Sequence, residues 1–528
     1  MQSIALQLRA FLIAALLITA AVPLRVPAQA ISVDPAKMSR IGSVDERFFS
    51  YNIEMAEVIG GSFWKPYGQS PKAMPGEKAA QSASTPAGMN PNMYEYRPPT
   101  DLSSPRLRKL AAALGPAYVR VSGTWANSVY FADSDHPPAR APAGFSSVLS
   151  RKEWKGVIDF VRALNGKLVV SFATSSGVRK ADGVWTANEA GPWLAYTKFT
   201  GGRIAAAEFM NEPTYAAMGG APKVYNAADY GRDVAVFGPW LKQNSPGTLF
   251  LGPGSVGEGP FPIVMGGMLH SEDLLKATGP VFDVFSYHLY VAASERCATL
   301  GANLQTTAAA ALSHEWLSRF EKSAAYYAAL RDRFEPGKEL WITETADAAC
   351  GGNRWAATFL DTFRYLIEHA GLAQRGVKVI MHNTLAASDY GLLDQNSFEP
   401  RPNYWASLLW RTLMGTTVLD PHVSAAPNTY VYAQCLEGQA GGVTLLVINA
   451  DRQRSFDLKL PVAGERYTLT AQRLQSATVE LNGKQLRLTK AGDLPRLVGE
   501  PVVAGRVSFA PASITYLSIA SAGNSNCR

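Results

Sequence analysis

Along most of the chain, short apolar runs alternate with amphipathic stretches of helical period; towards the end the pattern changes to residue-by-residue alternation. Eight runs read as buried strands: residues 48–53, 117–121, 167–173, 204–210, 248–251, 282–288, 339–343 and 377–382. Helical segments separate them. Ser104-Pro105 opens one through Leu107, Leu110 and Leu114, with proline in its first turn. Ser150 and Glu153 form a capping box before a helix through Ile158, Val161 and Leu164. Further helices are expected over 229–243, 313–334, 354–370 (ended by Gly371) and 404–413. Strands and helices in this alternation predict a (β/α)8 barrel, an α/β fold whose chemistry belongs at the carboxyl ends of the strands.

Past Gly415 the alternation has a period of two, and Asn482-Gly483 marks a hairpin turn. This part reads as an antiparallel β-sandwich. Residues 1–30 carry Arg9, an apolar run and Ala28-Gln29-Ala30, the marks of a cleavable secretory leader. The expected organisation is therefore a leader over 1–30 and a strand over 31–47 that joins the sandwich. The catalytic barrel follows over 48–414 and the sandwich over 415–528. A Gly-, Pro- and Ser-rich stretch from Gly60 to Thr100 reads as a long functional loop.

Composition changes little. The 528 residues are 47% hydrophobic and 18% charged, which excludes a disordered chain. The formal charge of +7 suits an acidic partner. Without an arginine-rich run or a nucleic-acid motif, nucleic acid is not expected. The four cysteines, Cys297, Cys350, Cys435 and Cys527, show no zinc spacing, so no metal is expected; export makes disulfides possible. The chain is expected to be a secreted or periplasmic monomer without a cofactor, and free of the membrane once the leader is removed.

Two strand ends carry the chemistry. The fourth run ends in Asn211-Glu212-Pro213, where proline stops the strand. The seventh ends in Ile342-Thr343-Glu344-Thr345. Glycoside hydrolysis with retention needs one carboxyl to protonate the leaving oxygen and a second, about 5–5.5 Å away, to attack the sugar. Glu212 fits the acid/base and Glu344 the nucleophile, with Asn211 placed for a sugar hydroxyl. Tyr290 could donate to the nucleophile, and Arg120 could pair with Glu344 and lower its pKa. His288 and His382 read as orienting or structural. Gly351-Gly352 offers backbone N–H groups for a uronate carboxylate.

These motifs resemble glycoside hydrolase family 79, the heparanase and β-glucuronidase family. The resemblance runs through Leu107-Arg108-Lys109-Leu110, Gly115 to Thr124, Glu208-Phe209-Met210-Asn211-Glu212-Pro213, Ile342-Thr343-Glu344-Thr345 with Gly351-Gly352, and Asp389-Tyr390-Gly391-Leu392 with Pro402-Asn403-Tyr404-Trp405. It implies a retaining enzyme with Glu212 as acid/base and Glu344 as nucleophile. It further implies that Gly351, Gly352 and Tyr390 hold a glucuronate carboxylate, and that Glu54, Thr124, Asn211 and Tyr290 contact sugar hydroxyls or the nucleophile. Glu54 stands where heparanase carries an aspartate, and His382-Asn383 replaces an Arg-Gln pair, which puts Asn383 in the site. Cys297 follows the sixth strand and Cys350 the seventh, so a Cys297–Cys350 disulfide is expected, leaving Cys435–Cys527.

The expected activity is endo-β-glucuronidase action on heparan sulfate or a related glucuronic-acid polysaccharide. The alternatives are an exo-β-glucuronidase and an inactive polysaccharide-binding protein. Arg151, Lys152, Lys155, Arg179 and Lys180 would bind sulfates if they face the cleft.

Overall fold

A computed structural model describes residues 30–68, 85–86, 89–263, 267–300, 304–424 and 427–528. The expected leader lies almost wholly outside the described residues.

Eight parallel strands close into a barrel: β1 (Phe49–Glu54), β2 (Tyr118–Ser122), β3 (Lys167–Ser171), β4 (Ile204–Glu208), β5 (Leu249–Ser255), β6 (Val284–Leu289), β7 (Leu340–Thr345) and β8 (Val377–His382). Consecutive strands are neighbours, and β8 pairs with β1 to close the ring. An outer helix follows each strand; the set includes Pro105–Ala113, Arg151–Ala163, Ala227–Asn244 and Pro402–Leu413. Both helix starts stand where they were read: Pro105 opens the first, with the Ser104 hydroxyl accepting from Leu107 N–H, and Ser150 and Glu153 cap each other at the second.

The barrel interior is built in layers, because residues two apart on a strand share a face. Tyr118, Val169, Ala206, Leu251, Val284, Trp341 and Val379 form an apolar floor. Two residues further along, Arg120, Glu208, Ser286 and Thr343 form a buried polar layer. The site stands on that layer.

Several element boundaries differ from the sequence reading, and at two of them a glycine makes room for a packed ring. β5 continues through Gly252-Pro253-Gly254 to Ser255, because a Cβ at Gly252 would lie 2.1 Å from the Phe282 ring. The glycine there admits a neighbour and does not break the strand. The helix expected to end at Gly371 runs Phe359–Gln374 with Gly371 inside it, where a Cβ would meet Phe320 Cζ at 2.4 Å. The helix expected over 313–334 is divided at Ser318 into His314–Leu317 and Arg319–Phe334. The stretch read as one loop from Gly60 to Thr100 contains an antiparallel pair, Gly61–Trp64 with Tyr94–Arg97, whose Trp64 and Tyr94 rings stack at 4.5 Å.

Beyond the barrel, Met414–Leu419, Thr429–Leu436, Val443–Asn449, Ser513–Ile519 and Gly464–Thr470 form the centre of an antiparallel sheet, edged by Arg40–Ser43 from the start of the chain. A smaller sheet of Ile31–Ser32, Phe456–Leu460 and Gly505–Phe509 covers one face. Alternation divides the large sheet between two cores. Leu445 and Val447 pack towards the small sheet with Leu458 and Phe509, while Leu446 and Ile448 pack towards the barrel. Tyr516 Oη donates to the carbonyl of Ala406 in the last barrel helix at 2.9 Å, tying the two units together.

Candidate active site

The fourth strand delivers Glu212 through a strained turn. Glu212 has φ +49° and ψ 63°, a left-handed conformation rare for a residue with a side chain and disfavoured before proline. Such strain costs about 1–3 kcal/mol and is held here by the structure around it. Asn127 clamps the turn from both sides: its Oδ1 accepts from Asn211 N–H at 2.9 Å, and its Nδ2 donates to the Asn211 carbonyl at 2.8 Å.

Arg120, fully buried beneath the pocket, organises the charges. Its Nη2 donates to Glu208 Oε2 at 2.8 Å and to Asn211 Oδ1 at 2.7 Å, and its Nη1 donates to Glu344 Oε2 at 3.0 Å. Because the guanidinium can only donate, Asn211 must turn its oxygen down to it, leaving its amide N–H groups for the pocket. Glu208 also accepts from Ser286 at 2.8 Å and Thr343 at 2.7 Å. Burial works against its ionisation, but Arg120 and the Thr343 hydroxyl hold its carboxyl below the ordinary value.

His288 links the two site carboxylates. Its Nδ1 lies 3.0 Å from Glu212 Oε1 and 3.7 Å from Glu344 Oε2. Burial lowers its pKa to about 4, so it is neutral at ordinary pH. Arg120 Nη2 lies 3.2 Å from His288 Nε2, which must therefore be the accepting nitrogen. The ring proton then sits on Nδ1 and is donated to Glu212 Oε1, leaving Oε2 of Glu212 to carry a transferable proton.

Burial raises the pKa of Glu212 to about 7; Arg120 lowers it and Glu208 raises it. Burial also raises that of Glu344, against the opposing pull of Arg120 and the Tyr290 hydroxyl. Tyr290 Oη donates to Glu344 Oε1 at 2.9 Å, and Asn383 Nδ2 lies 3.3 Å from the same oxygen. Three donors converge on Glu344, whereas the Glu212 carboxyl meets a neutral imidazole. Of the pair, Glu212 keeps its proton to higher pH.

One pocket is lined by Glu54, Thr124, Asn211, Glu212, Tyr290, Glu344, Asn383 and Tyr390, all named from the sequence. Asn383 Nδ2 also lies 3.2 Å from Tyr390 Oη. Glu54 is buried, and its Oε2 has no hydrogen-bond partner among the described residues. Burial first, and the Glu344 charge second, push its carboxyl well above the ordinary value. Gly123 makes room for it: a Cβ there would lie 1.5 Å from Glu54 Oε2.

Gly351 and Gly352 do not line this pocket; Ala349 and Cys350 do. The glycine pair stands behind that wall. A Cβ at Gly351 would meet the Trp64 Cβ at 2.6 Å, and Arg296 Nη1 donates to the carbonyls of Cys350 at 3.1 Å and Gly352 at 2.8 Å. The Cys297–Cys350 bond anchors the same loop, and the second disulfide joins Cys435 to Cys527. The expected sulfate-binding cations are elsewhere engaged. Arg179 is turned inward to Asp233 at 2.7 Å, Arg151 pairs with Asp133 and Asp135, and Lys155 pairs with Asp159. Lys152 and Lys180 do not line the pocket either.

Sequence reasoning overlooked Glu208, Asn127, Ser286 and Thr343, and the pocket walls Trp64, Tyr94, Trp125, Tyr215 and Met218. Glu208 was visible in principle, as an acid at an inward strand position two residues past Ala206.

Ligating atoms of Glu212, His288 and Glu344 all lie within 4.8 Å of one another, a spacing that could hold a metal ion. Arg120 already supplies a cation at Glu344 and Glu208, so the chemistry of the set favours acid/base work over metal binding.

No protein-family model matches the chain. Heparanase-like protein 1 of Arabidopsis thaliana is 28% identical over 81% of this chain and 86% of its own length. Heparanase of Mus musculus is 28% identical over 78% and 85%. Hyaluronoglucuronidase of Hirudo nipponia is 26% identical over 81% and 92%. Among solved structures, a 4-O-α-L-rhamnosyl-β-D-glucuronidase from Fusarium oxysporum superposes with a TM-score of 0.59 over 93% of this chain and 99% of its own, at 14% identity, a likeness of fold. The barrel, the sandwich and these relatives define a glycoside hydrolase. The resemblance to family 79, the heparanase and β-glucuronidase family, extends along about four fifths of the chain, and the enzyme is of the glucuronidase type. Among the described residues no helix is long and apolar enough to cross a membrane.

Proposed function

We propose that the protein is a secreted, retaining endo-β-glucuronidase that cleaves glucuronic-acid polysaccharide of the heparan sulfate type. The observation that carries the reading is the convergence of Glu212 and Glu344. They come from β4 and β7 into one pocket, with oxygens within 4.8 Å of each other. Oxygens this close favour double displacement, whose carboxyls stand about 5–5.5 Å apart, over inversion, whose carboxyls stand roughly 6.5–9.5 Å apart.

In this reading Glu344 attacks C1 of the glucuronate while Glu212 passes its Oε2 proton to the leaving oxygen. A covalent glycosyl ester forms, the leaving sugar departs, and Glu212, now ionised, takes a proton from the water that releases the ester. Arg120 and Tyr290 keep the nucleophile ionised. The neutral imidazole of His288 fixes which oxygen of Glu212 faces the substrate. Asn211 donates to the 2-hydroxyl, where contacts strengthen as positive charge develops on the ring. Tyr390 and Asn383, with burial holding the Tyr390 phenol protonated, are placed to donate to the uronate. Endo action is supported by two cavities that adjoin the pocket, one across Trp64 and one across Thr124, Trp125 and Met218.

The test is trapping with a 2-fluoro-glucuronide carrying a good leaving group, together with digestion of heparan sulfate. The label should be found on the peptide bearing Glu344, and the polymer should shorten to fragments ending in glucuronic acid. Label on another residue, or Glu344→Gln hydrolysing as fast as the parent, refutes the mechanism. Aryl glucuronide hydrolysis without shortening of the polymer favours the exo enzyme, and hydrolysis of neither substrate favours a binding protein.

A further inference from the structure

One side chain behind the pocket joins several of the segments that wall it. Arg296 stands in the loop after β6, with its side chain only 7% exposed. A guanidinium carries five N–H groups in one plane, and here all five are used. Nε and Nη2 donate to the carbonyl of Lys65 at 2.9 and 2.7 Å. Nη1 donates to the carbonyls of Cys350 at 3.1 Å and Gly352 at 2.8 Å, in the loop after β7. The second Nη2 proton goes to Asp389 Oδ2, in the loop after β8. Tyr67 closes the group. Its ring centroid lies 3.7 Å from the guanidinium carbon, and its N–H donates to the same Asp389 oxygen at 3.2 Å.

Each partner is a pocket residue or the neighbour of one. Lys65 follows Trp64, Cys350 lines the pocket itself, and Asp389 precedes Tyr390. The loops after β6 and β7 are held together without Arg296. The Cys297–Cys350 bond joins them, Ser294 N–H donates to the Ala349 carbonyl at 3.0 Å, and Ser294 Oγ donates to the Cys350 carbonyl at 2.8 Å. Between the loops after β7 and β8, Ser388 Oγ donates to the Gly351 carbonyl at 3.0 Å, and Arg296 bridges with Nη1 on one side and Nη2 on the other. A flat, rigid fork bonded on both sides fixes their separation, with Cys350 on one wall and Tyr390 on the other. None of its five N–H groups goes to Glu212 or Glu344.

We propose that Arg296 is a positioning residue for substrate recognition: it sets the gap between the Cys350 and Tyr390 walls, and through it the fit of the glucuronate carboxylate against Tyr390. The inference rests on the glucuronidase reading, which assigns the uronate to Tyr390 and Asn383. The work of Arg296 lies in binding and not in proton transfer.

Steady-state hydrolysis of an aryl glucuronide by the full chain tests this. Arg296→Lys keeps a cation beside Asp389 and Tyr67 but replaces the fork with one ammonium, which cannot bond both walls in one plane. It should raise KM about tenfold or more, the worth of a hydrogen bond to a charged group, and leave kcat within about threefold. The midpoints of the pH profile of kcat/KM should stay at their parent values. On a Tyr390→Phe background the same substitution should raise KM less than about threefold, because the wall it sets has already lost its donor. Asp389→Asn weakens one arm and should raise KM in the same sense; it carries the test if the lysine chain fails to fold. KM within about twofold of the parent in every folded variant, a fall in kcat with KM unchanged, or an equal effect on the Tyr390→Phe background overturns the inference. A parent chain that hydrolyses no aryl glucuronide overturns the glucuronidase reading and this inference with it. An active parent whose variants keep its KM overturns this inference alone.

Discussion

Replacing Glu212 by glutamine separates its cost in stability from its work in catalysis. Burial raises the Glu212 carboxyl from 4.5 to about 7, with 13% of the side chain exposed. At about 1.4 kcal/mol per pH unit, this amounts to about 3 kcal/mol of preference for the protonated form in the folded state. The sign follows from proton counting. Between pH 4.5 and about 7 the folded chain holds a proton that the unfolded chain has released, so stability falls as pH rises through that window. Below it the contribution is fully present; above about 7 it is gone. Glutamine is neutral throughout. Glu212→Gln should therefore match the parent near pH 4 and exceed it by up to about 3 kcal/mol at pH 8, read from urea unfolding at the two pH values. The same titration should appear in the parent's kinetics as an alkaline limb of kcat/KM with a midpoint near 7, because the acid must enter the reaction protonated. An equal stability offset at both pH values, together with kcat/KM flat to pH 9, would refute the account of where the proton resides.

Other outcomes follow from the same geometry. Glu212→Ala should lower hydrolysis of natural substrates about 10²–10⁴-fold, with a smaller loss on aryl glucuronides whose leaving group needs no proton; comparing the two substrates checks it. Tyr290→Phe removes the 2.9 Å donor to Glu344, so the acidic limb of kcat/KM should move to higher pH and kcat fall about 10–100-fold, the worth of a hydrogen bond to a charged group. Arg120→Met leaves Glu208 and Glu344 without their cation and should destabilise the chain by about 3–5 kcal/mol in denaturant unfolding. Cys297→Ser with Cys350→Ser opens a loop of 53 residues, for which the chain-entropy relation gives about 4 kcal/mol less stability, measured in the same way.

The barrel was legible because its strands are buried on both faces, and so appear as uninterrupted apolar runs between amphipathic segments. The Ser104-Pro105 helix start and the Ser150–Glu153 capping box were legible because they are local. The boundaries that went wrong were set by distant neighbours. Gly252 and Gly371 carry the same letter that ends strands and helices elsewhere. Only the Phe282 and Phe320 rings packed against them show that these glycines make room instead of breaking an element.

At the site, the primary structure alone showed which carboxylates follow or end the apolar runs of β4 and β7, Glu212 in the turn after β4 and Glu344 near the end of β7. It did not determine their electrostatics. That Glu212 holds a proton, that His288 presents Nδ1 to it, and that Gly351 and Gly352 lie behind the wall all depend on the third dimension. Hydrogen bonds and desolvation are set by atoms from four strands, β2, β4, β6 and β7, that meet only when the barrel closes.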